Sequence, residues 1–132
     1  MAPNTNPIFP LTPVIGLGQV SAANTARDGT GTLVNVLTGA ANGTRIHKIT
    51  IHAAVTTTAG MVRLFIFDAG SITRLWKEIA ILAITVSATV KGHEEIIELF
   101  GEGALHLPSG YILKASTHNA EAINVIAEGG NY

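Results

Sequence analysis

The chain has 132 residues, no cysteine and a net charge of −1. This length fits one domain with a core of its own, and the absence of cysteine excludes disulfides and thiolate metal sites. Because the 8 basic and 9 acidic residues are scattered along the sequence, no basic patch is available for nucleic acid, and we expect no nucleic-acid partner.

Charged residues are few in this chain. They make up 13% of the sequence, while hydrophobic residues make up 47%. The charged fraction of a typical globular protein is roughly 25%. Because charge is depleted in the core of a protein interface, the composition favours a homo-oligomer that hides part of its surface.

The first residues, MAPNTNPIFP, lack the basic and apolar regions of a signal peptide. No stretch reaches the roughly 18 consecutive apolar residues that a membrane-spanning helix needs. We therefore expect synthesis in the cytoplasm and no membrane partner.

Four of the five prolines lie within residues 1–13. Each proline removes a backbone donor and biases the preceding residue towards an extended form. We predict an extended arm over residues 1–13, followed by a single domain over residues 14–132. The arm residues expected to contact a partner protein are Pro7, Ile8, Phe9 and Pro10.

The rest of the chain reads as short, β-branched segments separated by glycine-rich or turn-prone pieces such as TGAANGT and LPSG. This spacing, without a long helix, predicts an all-β protein with one antiparallel β-sandwich of jelly-roll type. The expected strands are Val14–Val20, Leu33–Leu37, Arg45–Val55, Met61–Asp68, Thr85–Val90, Glu95–Phe100, Tyr111–Thr117 and Ala122–Ala127.

Alternation along these strands predicts which side chains form the core, since one sheet face takes every second residue. The residues expected mainly in the core are Ile49, Ile51, Val62, Leu64, Ile66, Val86, Ile112 and Val125. The segment SITRLWKEIAILAI, residues 71–84, fits helical spacing and alternation alike. We favour a strand there because β-branched residues continue on both sides.

Histidines are the first candidates for a metal site. His47 and His52 lie five residues apart, an odd spacing that should place them on opposite faces of a strand. His93, His106 and His118 lie in or beside turns, and nothing in the sequence brings them together. We therefore predict neither a metal site nor another cofactor.

Catalytic signals are equally weak. Glu94, Glu95 and Glu98, with Glu102 nearby, could supply the two carboxylates of a glycosidase, but Glu94 and Glu98 alternate with Ile96 as on a solvated strand face. The segment GLGQVS lacks the third glycine and the helix of a dinucleotide loop. We therefore expect no enzyme activity.

Aromatic residues offer an alternative. Trp76, Tyr111 and Tyr132 could stack on a sugar, as in carbohydrate-binding modules, although core packing is the more economical use of so few aromatic side chains. A lectin-like β-sandwich therefore stays open as an alternative function.

Several segments of the chain have a characteristic pattern of strands and turns. They include DGTGTLVNVLTGAANGTRIHKITIHA, VRLFIFD, RLWKEI, LPSGYILKAST and AEAINVIAEGGNY, which together cover most of residues 28–132. These segments resemble those of small proteins encoded among tailed-phage virion genes, the jelly-roll decoration, or cement, proteins of bacteriophage capsids. The likeness lies in strand and turn patterns, and it carries over no functional residue.

The resemblance implies a non-enzymatic structural protein of the virion that binds and stabilises the capsid surface. It implies the major capsid protein as a partner and a homotrimer as the oligomer. A tail-fibre or receptor-binding module would have a similar sequence and stays open beside the lectin-like alternative.

Overall fold

The computed structural model describes residues 9–99 and 103–132, and within them it contains nine β-strands. Arm residues Pro7 and Ile8 lie outside the described part. The strands are β1 (Thr12–Val20), β2 (Val34–Thr38), β3 (Thr44–Ala53), β4 (Gly60–Phe67), β5 (Thr73–Ile81), β6 (Glu94–Glu98), β7 (Leu105–Leu107), β8 (Ile112–Thr117) and β9 (Ile123–Asn131).

The strands form two antiparallel sheets. The first sheet has the order β1-β9-β3-β6, with β7 also paired to β3, and the second has the order β2-β8-β4-β5. The pairs β4 with β5, β3 with β6 and β7, β2 with β8, and β1 with β9 nest one inside the next. A long hairpin of this kind, rolled so that β9 meets β3 and β8 meets β4, is a jelly roll. The predicted fold class is confirmed.

Most predicted strands are present, with ends shifted by a few residues. The ambiguous segment at residues 71–84 contains strand β5, so the prediction of a strand there is confirmed. The predicted first strand began at Val14, whereas β1 begins at Thr12. The three-residue strand β7 was not predicted, because its length is too short for an alternation pattern.

One predicted strand, Thr85–Val90, is wrong. Ser87 and Val90 form a tight turn in which the Ser87 N–H donates to the Val90 carbonyl at 3.0 Å and the Ser87 hydroxyl accepts from the Thr89 and Val90 N–H groups at 3.3 and 3.2 Å. A serine side chain that bonds nearby backbone groups competes with sheet pairing. The apolar residues of this segment therefore belong to a loop.

The core lies between the two sheets. Its fully buried members include Ile49, Ile51, Val62, Leu64 and Val125, all of them predicted. Ile66 is half-buried and packs against this core.

Two predicted core positions are wrong. Val86 is half-buried in the loop after β5. On β8 it is Leu113, and not Ile112, that points to the core: Leu113 is paired with Ile66 and has an exposure of 0%. The neighbouring pair of Ile112 with Phe67 then faces outward.

We expect Ile51→Ala to lower the free energy of unfolding by about 2–4 kcal/mol, because it leaves a cavity between the sheets. Val90→Ala, at a side chain that is 46% exposed, is the matched control and should change it by less than about 0.5 kcal/mol. Urea unfolding followed by Trp76 fluorescence at one fixed protein concentration measures both. Equal losses in the two variants would contradict the assignment of the core face.

Gly129 tests how closely β9 approaches β3. A Cβ at this position would lie 1.8 Å from the Arg45 carbonyl oxygen, whereas a Cβ at Gly103 would have no heavy atom within 4 Å. We expect Gly129→Ala to destabilise the fold by about 1–3 kcal/mol or more through overpacking. Gly103→Ala, the control, should leave the thermal midpoint nearly unchanged. A Gly129→Ala variant as stable as the control would show that β3 and β9 lie farther apart.

Candidate interaction surface

The chain covers the outer face of its second sheet with its own β1–β2 loop, residues 21–33. Ala23 forms a parallel bridge with Thr117 of β8, and the Arg27 Nε lies 2.8 Å from the Glu78 carboxylate on β5. Since β4 lies between β8 and β5, the loop crosses over β4. The loop is held in shape by Asn24, whose side-chain amide donates to two carbonyls within the loop at 2.9 Å.

Two β4 side chains beneath this loop are buried although they point away from the core. Arg63 is 4% exposed and Phe65 is 0% exposed. The Arg63 Nε donates to the Glu78 carboxylate at 2.9 Å, so two guanidinium groups converge on one carboxylate. The hydrogen bond from Arg63, followed by the charge of Arg27, lowers the pKa of Glu78 below its ordinary value.

The outer face of the first sheet, in contrast, is open. A row of mostly apolar side chains crosses four of its five strands, β1, β9, β3 and β6. Strand register places Leu17 beside Ile126, Ile126 beside Thr50, and Thr50 beside Ile96. Leu17 is 73% exposed and Ile96 is 47% exposed, and Ile15, two residues before Leu17 on β1, is 54% exposed. We call this surface the open face.

One charged row borders the open face. Lys48 of β3 lies between Glu128 of β9 and Glu98 of β6 in the strand register. The Lys48 Nζ lies 3.6 Å from the Glu128 carboxylate. Exposed ion pairs of this kind contribute little to folding stability. The charges of Lys48, Glu128 and Glu98 can therefore form ion pairs with a partner protein at little cost to the fold.

A second polar row borders the face on its other side. It runs from Gln19 through Asn124 and His52 to Glu94. The Gln19 side-chain amide donates to the Asn124 side-chain oxygen at 2.8 Å, and the His52 Nδ1 lies 3.4 Å from the Glu94 carboxylate. The open face is thus an apolar row between two polar rows, as in an interface with a polar rim.

The described part of the predicted arm lies at one end of this face. Phe9 is 68% exposed and Leu11 is 83% exposed. The Leu11 N–H donates to the Asn131 carbonyl at 2.7 Å, which continues the pairing of β1 with β9. Pro10 is half-buried and helps to line a shallow cleft of about 510 Å³ together with Arg45.

The histidine prediction needs one correction. A β-bulge in β3 between Ile46 and Lys48 adds one residue opposite β9. His47 therefore lines a shallow cleft with Ile15 and Glu128, on the same outer face as His52. The odd-spacing argument was wrong, yet the two imidazoles stay apart, because the β9 positions beside them are four residues, or about 13 Å, apart.

The other histidines lie in separate places. His93 is 8% exposed and accepts a hydrogen bond from the Leu82 N–H at 3.4 Å, which ties the loop after β5 to the start of β6. His106 contacts the Tyr132 ring edge-on at a centroid distance of 6.3 Å. Within residues 9–99 and 103–132, no three His, Cys, Asp or Glu side chains are grouped to hold a metal ion.

The candidate carboxylates Glu94 and Glu98 both lie on β6 with Ile96 between them on the open face. Four residues along a strand separate them by about 13 Å, more than the roughly 5–9.5 Å that a glycosidase pair spans. Glu95 is exposed beside them, and Glu102 lies outside the described residues.

The aromatic candidates do not share a surface. Trp76 on β5 and Tyr111 before β8 both pack against the core, and the Lys77 Nζ lies 5.0 Å from the Trp76 ring centroid. Tyr132 follows β9 in the other sheet. Across the described part of the chain, no helix is long and apolar enough to span a bilayer.

Known proteins give little further guidance. No protein-family model matches the sequence, and no curated protein matches it. Among solved structures, the chain is similar to a pentameric capsid protein isolated from metagenomic phage sequences, with a TM-score of 0.44 and 14% sequence identity. The match covers 89% of this chain and spans 60% of that protein's length. A similarity at this level supports no inference about function.

The Glu78 ion pairs predict how acid affects the fold. Because the native pKa of Glu78 lies below its ordinary value of 4.5, its contribution to stability is present above that value and is lost as the pH falls through the native pKa. We expect Glu78→Gln to be less stable than the wild type at neutral pH and to lose less stability on acidification.

Thermal midpoints of the wild type and Glu78→Gln between pH 7 and pH 3 test this. Arg27→Ala should reproduce part of the effect, because Arg27 is the smaller of the two causes. Parallel pH curves for the wild type and Glu78→Gln would contradict a stabilising role for these ion pairs.

Proposed function

We propose that this chain is a non-enzymatic structural protein of a bacteriophage virion, a decoration protein that binds and stabilises the capsid shell. The observation that carries the proposal is the exposed apolar arm, where Phe9 is 68% and Leu11 is 83% exposed. A protein with few charges that leaves one sheet face bare is built for contact with other proteins.

The fold and the sequence resemblance support the same role. Jelly rolls are common among capsid proteins, although lectins share the architecture, so the fold permits the role without requiring it. The decoration role, the location on the capsid surface and the synthesis in the host cytoplasm come from the resemblance to phage decoration proteins. The major capsid protein is the partner that this role implies.

The arm is the point of attachment to the shell in this proposal. Phe9 and Leu11 are exposed apolar side chains beside prolines, and two such side chains contribute about 3–6 kcal/mol gross when a partner buries them. Proline limits the freedom of the unbound arm, so docking costs less entropy than it would for a glycine-rich segment. Pro7 and Ile8, the residues before Phe9, share the proposed role.

On the shell, we propose that three copies group around a three-fold position, as the resemblance implies. Grouping repeats the arm contact three times, which strengthens attachment without a new kind of contact. Closed three-fold symmetry also lets each copy bury one low-charge patch against a different patch of the next copy.

Deleting residues 2–9 should leave the jelly roll folded and weaken binding to heads. The deletion ends before Pro10, which approaches Gly130 closely, and before Leu11, which pairs with Asn131. Co-sedimentation with purified heads of the phage that encodes the chain measures occupancy, and we expect at least a tenfold weaker apparent Kd, or about 1.4 kcal/mol.

Ile72→Ala is the matched control, because Ile72 is an exposed apolar residue, 46% accessible, in the turn between β4 and β5. Its occupancy should equal that of the wild type. Equal binding by the truncated and full chains would remove the arm from the proposal. Absence of head binding by either form, together with specific binding on a glycan array, would favour the lectin-like alternative.

A further inference from the structure

We propose that the open face binds the open face of a second copy of this chain, about a two-fold axis that lies in the interface and runs parallel to the strands between β9 and β3. The proposal concerns contact between copies and does not depend on the capsid role. It follows from the order in which the side chains stand across the four strands.

Rotation about such an axis reverses the strand order, so β1 of one copy lies opposite β6 of the other and β9 lies opposite β3. In the apolar row, Leu17 then lies opposite Ile96 of the partner copy, and Ile126 lies opposite Thr50. The most exposed apolar side chains of the row therefore cover each other, which removes apolar area from water in both copies.

The charged row is self-complementary about the same axis. Lys48 of one copy lies opposite Glu128 of the other, and the reverse pair forms symmetrically. Because each Lys48 already lies 3.6 Å from its own Glu128, four alternating charges meet at the axis. Opposite charges placed across an interface fix its orientation.

The second polar row agrees with this pairing. Gln19 lies opposite Glu94, and Asn124 lies opposite His52, so each donor faces an acceptor. At the rim, Ile15 lies opposite Glu98, whose exposed carboxylate stays in water as is usual at the edge of an interface.

A two-fold axis along the rows instead of along the strands gives a worse match. It would place the row that contains Lys48 opposite the row that contains His52, and Glu98 opposite Glu94. Like charges opposite each other are unfavourable. The strand-parallel axis is therefore the arrangement that the charges select.

The size of the face sets the expected strength. Four strands spaced about 4.8 Å apart and about 20 Å long cover roughly 400 Å² per copy, which is below the roughly 800 Å² per partner of a standard interface and in the range of weak, transient contacts. We expect association at micromolar chain concentration. When two sheets pack face to face, their strand directions differ by up to about 30°. The facing residues of β9 and β3, which lie next to the axis, are displaced least by this rotation.

The first experiment measures mass by sedimentation between 1 and 100 µM, a range chosen from the roughly micromolar affinity expected. The wild type should reach at least twice the mass of one chain. Leu17→Glu, which places a carboxylate opposite Ile96, should weaken self-association at least tenfold. Ile72→Glu, in the turn between β4 and β5, should behave as the wild type. A wild type that stays monomeric, or an oligomer whose mass Leu17→Glu does not lower, would overturn the proposal.

A charge swap separates this contact from general loss of folding. Lys48→Glu and Glu128→Lys each place like charges across the axis and should each weaken self-association about tenfold. The double variant Lys48→Glu/Glu128→Lys restores opposite charges and should recover wild-type mass. Circular-dichroism spectra equal to that of the wild type in all variants are the folding control, because loss of association by itself lowers the thermal midpoint. Failure of the double variant to recover would overturn the assigned pairing.

Cross-linking tests the direction of the axis, since the chain has no cysteine of its own. A short bismaleimide should join Leu17→Cys chains to Ile96→Cys chains when the two variants are mixed. It should not join two Leu17→Cys chains to each other, because their Leu17 positions would lie about three strand spacings, or roughly 14 Å, apart across the sheet. Efficient joining of Leu17→Cys to itself would overturn the strand-parallel axis. If Leu17→Glu weakens binding to heads without lowering the mass, the open face meets the shell and not a second copy, and the proposal fails while the decoration role stands.

Discussion

The pairing of β3 with β9 is the contact on which both surfaces of the first sheet depend. It aligns Ile49 and Ile51 with Ala127 and Val125, which are all fully buried in the core. The same ladder sets Lys48 beside Glu128 on the outside. Because side chains alternate along a strand, a slip of one residue would exchange the buried set for the outward set. The core and the open face are therefore two results of one register.

The bulge at His47 makes this register possible. Ile46 and Ile49 are both fully buried although their spacing is odd, and the extra residue in β3 restores the phase between them. Gly129 lies opposite the bulge, where a Cβ would collide with the Arg45 carbonyl. The backbones of β3 and β9 thus lie so close at the bulge that only a glycine fits at position 129. The extra residue of the bulge places His47 on the outer face.

The outer face of the second sheet is covered by a loop, whereas the outer face of the first sheet is exposed to solvent. The loop at residues 21–33 covers the second sheet and is fastened by Arg27 to Glu78. Phe65 can therefore be fully buried on the outside of β4. The first sheet has no comparable cover within the described residues, and its self-complementary rows offer a place for another copy. Burying Leu17 and Ile96 there would cover the two most exposed apolar side chains of the row that crosses this sheet.

By itself, the sequence determined the fold class and much of the core. Strict alternation around Ile49 and Ile51, and around Val62 and Leu64, depends only on the two-residue period of a strand, so one face of each strand could be read directly. The low charge also pointed to contact with other proteins, because composition reflects how much surface water must solvate.

Tertiary structure alone decided the rest. A bulge changes which side of the strand the following residues face, and it has no sequence signal of its own. The side of β3 on which His47 lies could therefore not be read from residue spacing. On β8, Leu113 occupies the core position that the alternation pattern had assigned to Ile112. The short β7 and the serine turn at Ser87 depend on hydrogen bonds with particular partners, which local pattern does not specify. The open face is the clearest case: Leu17, Ile126, Thr50 and Ile96 are far apart in the chain, and only sheet order and register bring them into one row.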